Sequence, residues 1–559
     1  LVSAAHWLGS STEINLSIRR AAPTLPADRP ILQTVPDSPM SAADRTEPRR
    51  LGVLDVAAPF AFGATIIASR IPAIICDCEL NVDESQLIAQ VRRYQLDLLP
   101  WRSVNGDTGG PLNTWYLLLA HLLGMPLEYA WVHALSAATL AVTVILGFLT
   151  ARRFFGPTGA LFGGVAGTLW VSLHQVSDFV QYASELVPIL LVMVALAFVG
   201  RSFRCDVLGS FILGLMPWAK LQVVPIGAAI GLWLVARTLW PDTRDAPAPG
   251  TRVLRAAALV LSAALPSIVM ICSVALGGAW EDCRRAYFET NLSYAGEAHL
   301  VPFLRRALDC AVLSSTVAPW ILALLLGAFI VPWRHGVRLR FAHWQGFGVL
   351  MVAVVSASII AWARTRTEWA HYDFFLLPGL ILATGAIMEP GNAGASGSGL
   401  SLALAVALFA AYALALARPA FGYGSLLLET SRRPQEADGL LAAIRALVPE
   451  YRTMAIWGWR PSVYVRGHLT PPTRQANCGF LFLDSPNRHF LRERYAEDLK
   501  RSLPDLVVDS GGMSFEKYWH GLHAVETSEV APVIRDHYAL LGSIDAKDGT
   551  AYVYGLKDH

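Results

Sequence analysis

The sequence predicts a polytopic α-helical membrane protein that ends in a small α/β domain, and three observations carry this. Of 559 residues, 54% are hydrophobic and only 16% charged, with a mean hydropathy of +0.43, whereas a soluble domain is about a quarter charged. Apolar runs approaching the roughly 20 residues that cross a bilayer recur from Leu51 to Ala417. Beyond residue 425 the runs stop and short β-like segments alternate with helical patterns, the signature of a small α/β unit. The net charge of +2 and the lack of a basic patch speak against a nucleic-acid partner. Lys supplies only five of the 45 basic residues, a bias toward Arg that points to GC-rich, bacterial coding.

Residues 1–50 are polar, rich in Pro, Ala and Asp, and have no apolar core of the secretory-signal kind. They are expected to form a disordered cytosolic tail. The membrane domain then runs over 51–420. Its first span is Leu51 to Cys76, preceded by Arg49 and Arg50, which favours a cytoplasmic N-terminus. A long outer loop, 77–128, follows. Within it Ser85 to Val91 is patterned as an amphipathic helix, with Asp83 placed to cap its start. The apolar stretch Leu112 to Gly124 has only 13 residues, too short to cross, and is expected to be a juxtamembrane helix.

Further spans are expected at about 129–150, 158–175, 184–200, 206–219, 221–240, 254–277, 311–332, 345–363, 371–388 and 399–417, about eleven in all. This solution puts Arg152, Arg153, Arg201, Arg204, Arg237, Arg252 and Arg255 inside, as the positive-inside bias requires. Letting 112–124 cross would invert them all. Gly391 to Ser401 is a linker rich in Gly, Ser and Ala. The C-terminal domain, 425–559, has strand-like runs at Met454–Trp457, Gly479–Leu483, Asp505–Asp509, Tyr538–Ile544 and Ala551–Leu556, with helices at 434–448 and 489–502. With eleven spans it is extracytoplasmic, on the same side as Asp83.

Four ionisable clusters fall on that outer face. Asp83 and Glu84 follow the first span directly, where a carboxylate at a low-dielectric boundary can accept a proton from an attacking hydroxyl. Capping and a solvated loop charge are the plain alternative. His174 to Glu185 contains Asp178, Tyr182 and Glu185. Glu185 opens an apolar run, where an unpaired carboxylate is costly, and a loop-fixing salt bridge is its structural alternative. Lys220 is the only Lys among the first 499 residues, a point cation suited to a lipid-linked phosphate or, equally, a residue snorkelling to the interface. Arg364-Thr365-Arg366-Thr367-Glu368-Trp369-Ala370-His371-Tyr372 offers forked donors for phosphate, against an aromatic belt with anchoring arginines. Arg102, Asn105 and Asp107 in the first outer loop are weaker candidates.

The seven cysteines include no paired C-x-x-C metal pattern. Cys283 and Cys310 share one expected outer loop and pair if the compartment is oxidising, although separate buried thiols is the preferred reading. Cys76-Asp77-Cys78-Glu79 is a weak metal signal, and no metal or other cofactor is expected.

In order along 51–390, these features resemble the GT-C superfamily of integral membrane glycosyltransferases, in particular relatives of protein O-mannosyltransferases and lipid A aminoarabinose transferases. The resemblance rests on Val82-Asp83-Glu84 after the first span, Gly109-Gly110-Pro111-Leu112-Asn113-Thr114-Trp115-Tyr116, Tyr182-Ala183-Ser184-Glu185 opening a span, Ala219-Lys220-Leu221-Gln222, and His371-Tyr372 with Pro378. It implies an inverting transferase at the outer face of the plasma (inner) membrane. The donor would be a polyprenyl-phosphate sugar and the acceptor a hydroxyl on a lipid, glycan or protein. Asp83 would be the general base, Glu84 would orient the acceptor or its loop, and Glu185 would support the base or bind sugar. Lys220, with Arg364, Arg366, His371 and Tyr372, would hold the donor phosphate, and Arg102, Asp178 and Tyr182 would contact substrate. Gly-Gly-Pro stands where the family has a Pro-Pro or Lys-Pro turn, so the turn lysine of the aminoarabinose transferases has no counterpart here. A flippase or transporter for lipid-linked glycans would instead place ionisable groups near the midplane of repeated halves, and no repeat is evident in the sequence. A polysaccharide polymerase would use a diphosphate donor.

Overall fold

The computed structural model describes residues 53–241, 247–294, 347–364, 369–388, 422–429, 436–514, 523–546 and 549–557. The expected tail 1–50, the spans expected at 311–332 and 399–417, the Gly391–Ser401 linker, Cys310 and Arg366 lie outside the described residues.

The membrane domain is a helical bundle. α1 (Val53–Cys76) is followed by two helices of the 77–128 segment expected to be the outer loop, α2 (Val82–Tyr94) and α3 (Pro111–Leu122). Then come α4 (Tyr129–Phe154), α5 (Pro157–Leu173), a single turn α6 (Ser177–Val180), α7 (Leu186–Phe198), α8 (Phe203–Ala219), α9 (Val224–Leu239) and α10 (Pro249–Leu276). After the undescribed stretch come α11 (Phe347–Ala363) and α12 (Leu377–Met388). Among the described residues five helices are long and apolar enough to cross a membrane: Asp55–Cys76, Tyr129–Phe154, Leu221–Leu239, Pro249–Leu276 and Ala370–Met388. α5, α7, α8 and α11 also stand at expected span positions, but are shorter, with 13 to 17 residues. α3, at 12 residues, is a single short helix opened by Pro111, where proline loses no hydrogen bond.

α2 starts earlier than its amphipathic pattern suggested, and its N-cap is Asn81, whose side chain accepts from the Asp83 amide at 2.9 Å. Asp83 is therefore not the cap. An Asn at the cap position satisfies the orphan amide and leaves the Asp83 carboxylate free. Cys76 and Cys78 are joined by a disulfide, so neither thiol is available to a metal, and Cys283 is buried.

The C-terminal domain is built on a four-stranded sheet, order β1-β2-β4-β3, from β1 (Met454–Trp457), β2 (Leu506–Asp509), β3 (Tyr538–Ala546) and β4 (Gly549–Leu556). β1 and β2 are parallel, β2 and β4 antiparallel, and β3 and β4 form an antiparallel pair with an irregularity between Leu540 and Gly542. Helices Glu436–Leu447 and Arg488–Ser502 stand where the pattern placed them. The run 479–483 does not form a strand; Gly479–Phe482 is one helical turn. A short apolar run has no period of its own, and here Leu481 enters the core while Phe482 meets the Trp457 ring at 5.2 Å.

This domain is clamped to the outer loop of the membrane domain. Arg474 makes a forked contact with Asp498 and donates to Asp282 at 2.8 Å and to the Trp101 carbonyl at 3.3 Å. Its own carbonyl accepts from the Asn105 amide at 2.9 Å. Asn477 donates to Gln86 of α2 at 2.8 Å. A buried guanidinium that satisfies two carboxylates and a carbonyl fixes orientation more than it adds net stability.

Candidate active site

The first outer loop is pinned to the end of α8. The Gly110 amide donates to the Ala219 carbonyl at 2.8 Å, Asn113 donates to the same carbonyl at 2.7 Å, and Gly109 and Lys220 form an isolated antiparallel bridge. A Cβ at Gly110 would overlap the Trp218 carbonyl oxygen and lie 2.9 Å from the Tyr287 hydroxyl, so only glycine allows this approach. The Gly109-Gly110-Pro111 turn is thus a docking surface for the segment that carries Lys220.

Lys220 ends α8 in extended conformation. Its ammonium is buried, bonded to Glu185 and, at 2.6 Å, to the Ser184 hydroxyl, and lies 5.0 Å from the Tyr372 ring centroid. A buried ammonium needs such a partner. Tyr372 in turn bonds the Tyr294 hydroxyl at 3.3 Å. His371 Nδ1 lies 2.7 Å from Asp178 Oδ1, its amide donates to Asp178 Oδ2 at 3.1 Å, and its Nε2 is 3.9 Å from Glu185. Asn81 completes the link by donating to Asp178 at 2.9 Å. Burial pushes the Asp178 carboxyl up, but the hydrogen bonds from His371 outweigh it and hold the group below its usual range. An ionised carboxylate only accepts, so His371 Nδ1 carries the proton and Nε2 faces Glu185.

Asp83, Asp107, Lys220, His371 and Tyr372 line one cavity of 790 Å³. Asp83 is half-buried, and burial raises its carboxyl above the ordinary value while His371 and Lys220 pull it back. Asp107 sits on left-handed backbone, φ 54°. It accepts from Gln86 at 2.9 Å and is pushed up to about 7 by burial, with the Asp83 charge adding to the rise. One wall belongs to the C-terminal domain: Trp459, Asn477, Gly479, Phe480 and Leu483. None of these five stands out as a site residue in the sequence. Their signal is positional: Trp459 leaves the C-terminal end of parallel strand β1, where ligand sites of such sheets gather.

The remaining sequence-predicted residues are not brought to this cavity. Glu84, in the first turn of α2, is fully buried and bonded to His133 Nε2 at 3.0 Å and to the amides of Leu80 and Tyr182. It fixes the loop. Tyr182 is buried and donates to the Asn113 carbonyl at 3.0 Å. Arg102 pairs with Asp97 at 2.7 Å, at a second, largely apolar groove of 750 Å³ that includes Leu112, Trp115, Trp218 and Leu265. Arg364 is exposed just past the end of α11. Among the described residues no three His, Cys, Asp or Glu side chains are disposed to hold a metal ion.

No protein-family model and no curated protein sequence matches the chain. Solved structures do. ArnT from Cupriavidus metallidurans, in the apo state, superposes with a TM-score of 0.52 over 89% of this chain and 97% of its own, at 15% identity. The archaeal oligosaccharyltransferase AglB from Archaeoglobus fulgidus, in complex with an inhibitory peptide and a dolichol-phosphate, gives a TM-score of 0.45 at 13% identity, over 89% of this chain and 74% of its own. The apo form of the A. fulgidus oligosaccharyltransferase gives 0.46 at 12% identity, covering 90% and 74%.

Proposed function

From a multi-pass membrane chain with a GT-C-like fold, similar to ArnT over nearly its whole length, we propose a glycosyltransferase that moves a sugar from a polyprenyl-phosphate donor to an acceptor hydroxyl at the extracytoplasmic face. One observation carries the reading: Asp83, spared from capping by Asn81, shares a cavity with the buried ammonium of Lys220.

In this reading Asp83 accepts the proton of the acceptor hydroxyl as that oxygen attacks the anomeric carbon. The bond from the same carbon to the phosphate oxygen breaks on the opposite side, with inversion, and the electron pair leaves with the polyprenyl phosphate. The leaving group gains negative charge, which Lys220 and His371 offset from fixed positions. An Asp whose carboxyl is raised toward neutrality is a better base than an ordinary carboxylate. The second groove, backed by Trp218 next to the Lys220 segment, receives the lipid chain, and the C-terminal domain covers the acceptor side.

The test is transfer from a panel of radiolabelled polyprenyl-phosphate sugars by the purified protein beside Asp83→Asn. Transfer by the wild type that drops about 100-fold or more in the variant, at unchanged unfolding temperature, is the expected result. Transfer that persists in Asp83→Asn would sink the assignment of the base.

A further inference from the structure

The ends of α7, α8, α9 and α10 remote from the cavity enclose a second polar feature. α8 runs from Phe203 to Ala219, so this end lies about 25 Å from Lys220 at 1.5 Å per residue. Here a pocket of 210 Å³ is lined by Arg201, Arg237, Arg252, Arg255, Phe203 and Asp206 among others. Gly200, at φ +77°, marks how tightly the cations gather, since a Cβ there would lie 2.6 Å from Arg237 Nη1 and 3.3 Å from Arg153 Nη2.

Among the described residues the charges do not cancel. Arg153 is spent on the carbonyls of Ala197 and Val199, and Arg252 donates to the Leu239 carbonyl at 3.2 Å. Among the described residues Asp206 is the one carboxylate that lines the pocket, and one of its oxygens is taken by the Gly200 amide. Arg201, Arg237 and Arg255 form no ion pair among the described residues; Arg237 and Arg255 stack on Trp233 and Phe203 instead, at 5.3 and 5.2 Å. Stacking holds the guanidinium planes while leaving their edges free to donate.

We infer that this pocket binds the phosphate of an anionic headgroup, with Arg201, Arg237 and Arg255 as its donors. Guanidinium forks match phosphate oxygens in pairs, and basic pockets between membrane helices take phosphate headgroups in this way. The surroundings favour a lipid source over free phosphate. α10, which starts at the pocket, is the least covered of the five long apolar helices, with 22% of its apolar window buried. It exposes Val253, Leu254, Leu261 and Ile268 along its length, a track for acyl chains leading from the phosphate.

The experiment needs no sugar donor, so its outcome is separate from that of the proposed transfer reaction. The purified full chain in detergent is titrated with phosphatidylglycerol, with phosphatidylcholine of the same acyl chains, and with inorganic phosphate, and binding is followed by native mass spectrometry and unfolding temperature. Phosphatidylglycerol is expected to bind and stabilise more than phosphatidylcholine, and Arg237→Gln with Arg255→Gln to weaken that binding about tenfold or more, the loss of charge-assisted hydrogen bonds. Arg204→Gln, exposed and outside the pocket, should leave it unchanged. Should the double variant not fold, Arg201→Gln at the exposed rim replaces it, with a smaller loss expected. Stabilisation by inorganic phosphate equal to that by phosphatidylglycerol would keep the anion site and overturn the lipid source. Equal binding of both lipids, or undiminished phosphatidylglycerol binding in the variant, would overturn the site and assign these arginines to the chain's own carboxylates.

Discussion

His371 and Asp178 are joined twice, through the ring Nδ1 at 2.7 Å and through the backbone amide at 3.1 Å. The double contact sets both the tautomer and the ring orientation of a cavity-lining imidazole. In the proposed reaction Asp178 acts through His371, as a positioning residue. Asp178→Asn keeps the shape but removes the charge and one acceptor. If the proposed transfer is the reaction, it should fall about tenfold to 100-fold, mainly in kcat, with the pH profile shifted because a charge beside the imidazole is gone. An unchanged pH profile would leave Asp178 a purely structural role.

Lys220 and Glu185 form a pair buried on both sides. Removing one partner strands the other charge, at about 3–5 kcal/mol, so Lys220→Met and Glu185→Gln should each lower the unfolding temperature markedly. The double variant should be more stable than the sum of the two losses predicts. Thermal unfolding of all four proteins in one detergent gives the cycle; strict additivity would show that the two do not act as a pair.

Gly110→Ala places a methyl against a backbone carbonyl, which cannot move without lifting the outer loop from α8. A loss of about 1–3 kcal/mol, and a larger loss of transfer than of stability, is expected. Gly250→Ala, with nothing within 4 Å of the new methyl, is the matched control and should change neither.

Asp107 and Glu79 are both pushed up to about 7, chiefly by burial. In the unfolded chain such groups titrate near 4. Above about pH 4 the folded protein retains protons that the unfolded chain releases, so the stabilisation is complete at low pH and is lost as pH rises through about 7. For Asp107 the shift from 3.8 is worth at most about 4 kcal/mol. Unfolding temperature should therefore fall between about pH 4 and 7, and Asp107→Asn and Glu79→Gln should each flatten part of that slope. A slope unchanged in both would place its origin elsewhere.

Local rules made the helical architecture legible: apolar runs of span length, charge at their ends, and the compositional break before the C-terminal domain. Asp83, Glu185, Lys220 and His371 were legible too, because charge is expensive next to apolar runs. The same reasoning could not separate Glu84, turned into a buried pair with His133, from its neighbour Asp83. Adjacent helical residues face in different directions, and the difference was set by Asn81 taking the cap. Arg102 was indistinguishable from a substrate ligand until Asp97 was seen beside it. Trp459 and Asn477 were invisible as site residues because their proximity to α2 depends on how two domains dock, which no local pattern encodes.

The cavity is bounded at one extreme by Asn81 and at the other by Leu483, so it does not exist while the polypeptide is being made. A ribosome that has released every apolar helix described here into the bilayer still holds an unfinished vessel. Only after the polar C-terminal portion has emerged, folded against α2 and closed the Arg474 clamp does the chamber gain its last wall. Biogenesis thereby carries its own safety catch: a nascent or truncated chain that lodges in the membrane lacks part of the enclosure and has no complete chamber in which to engage a substrate.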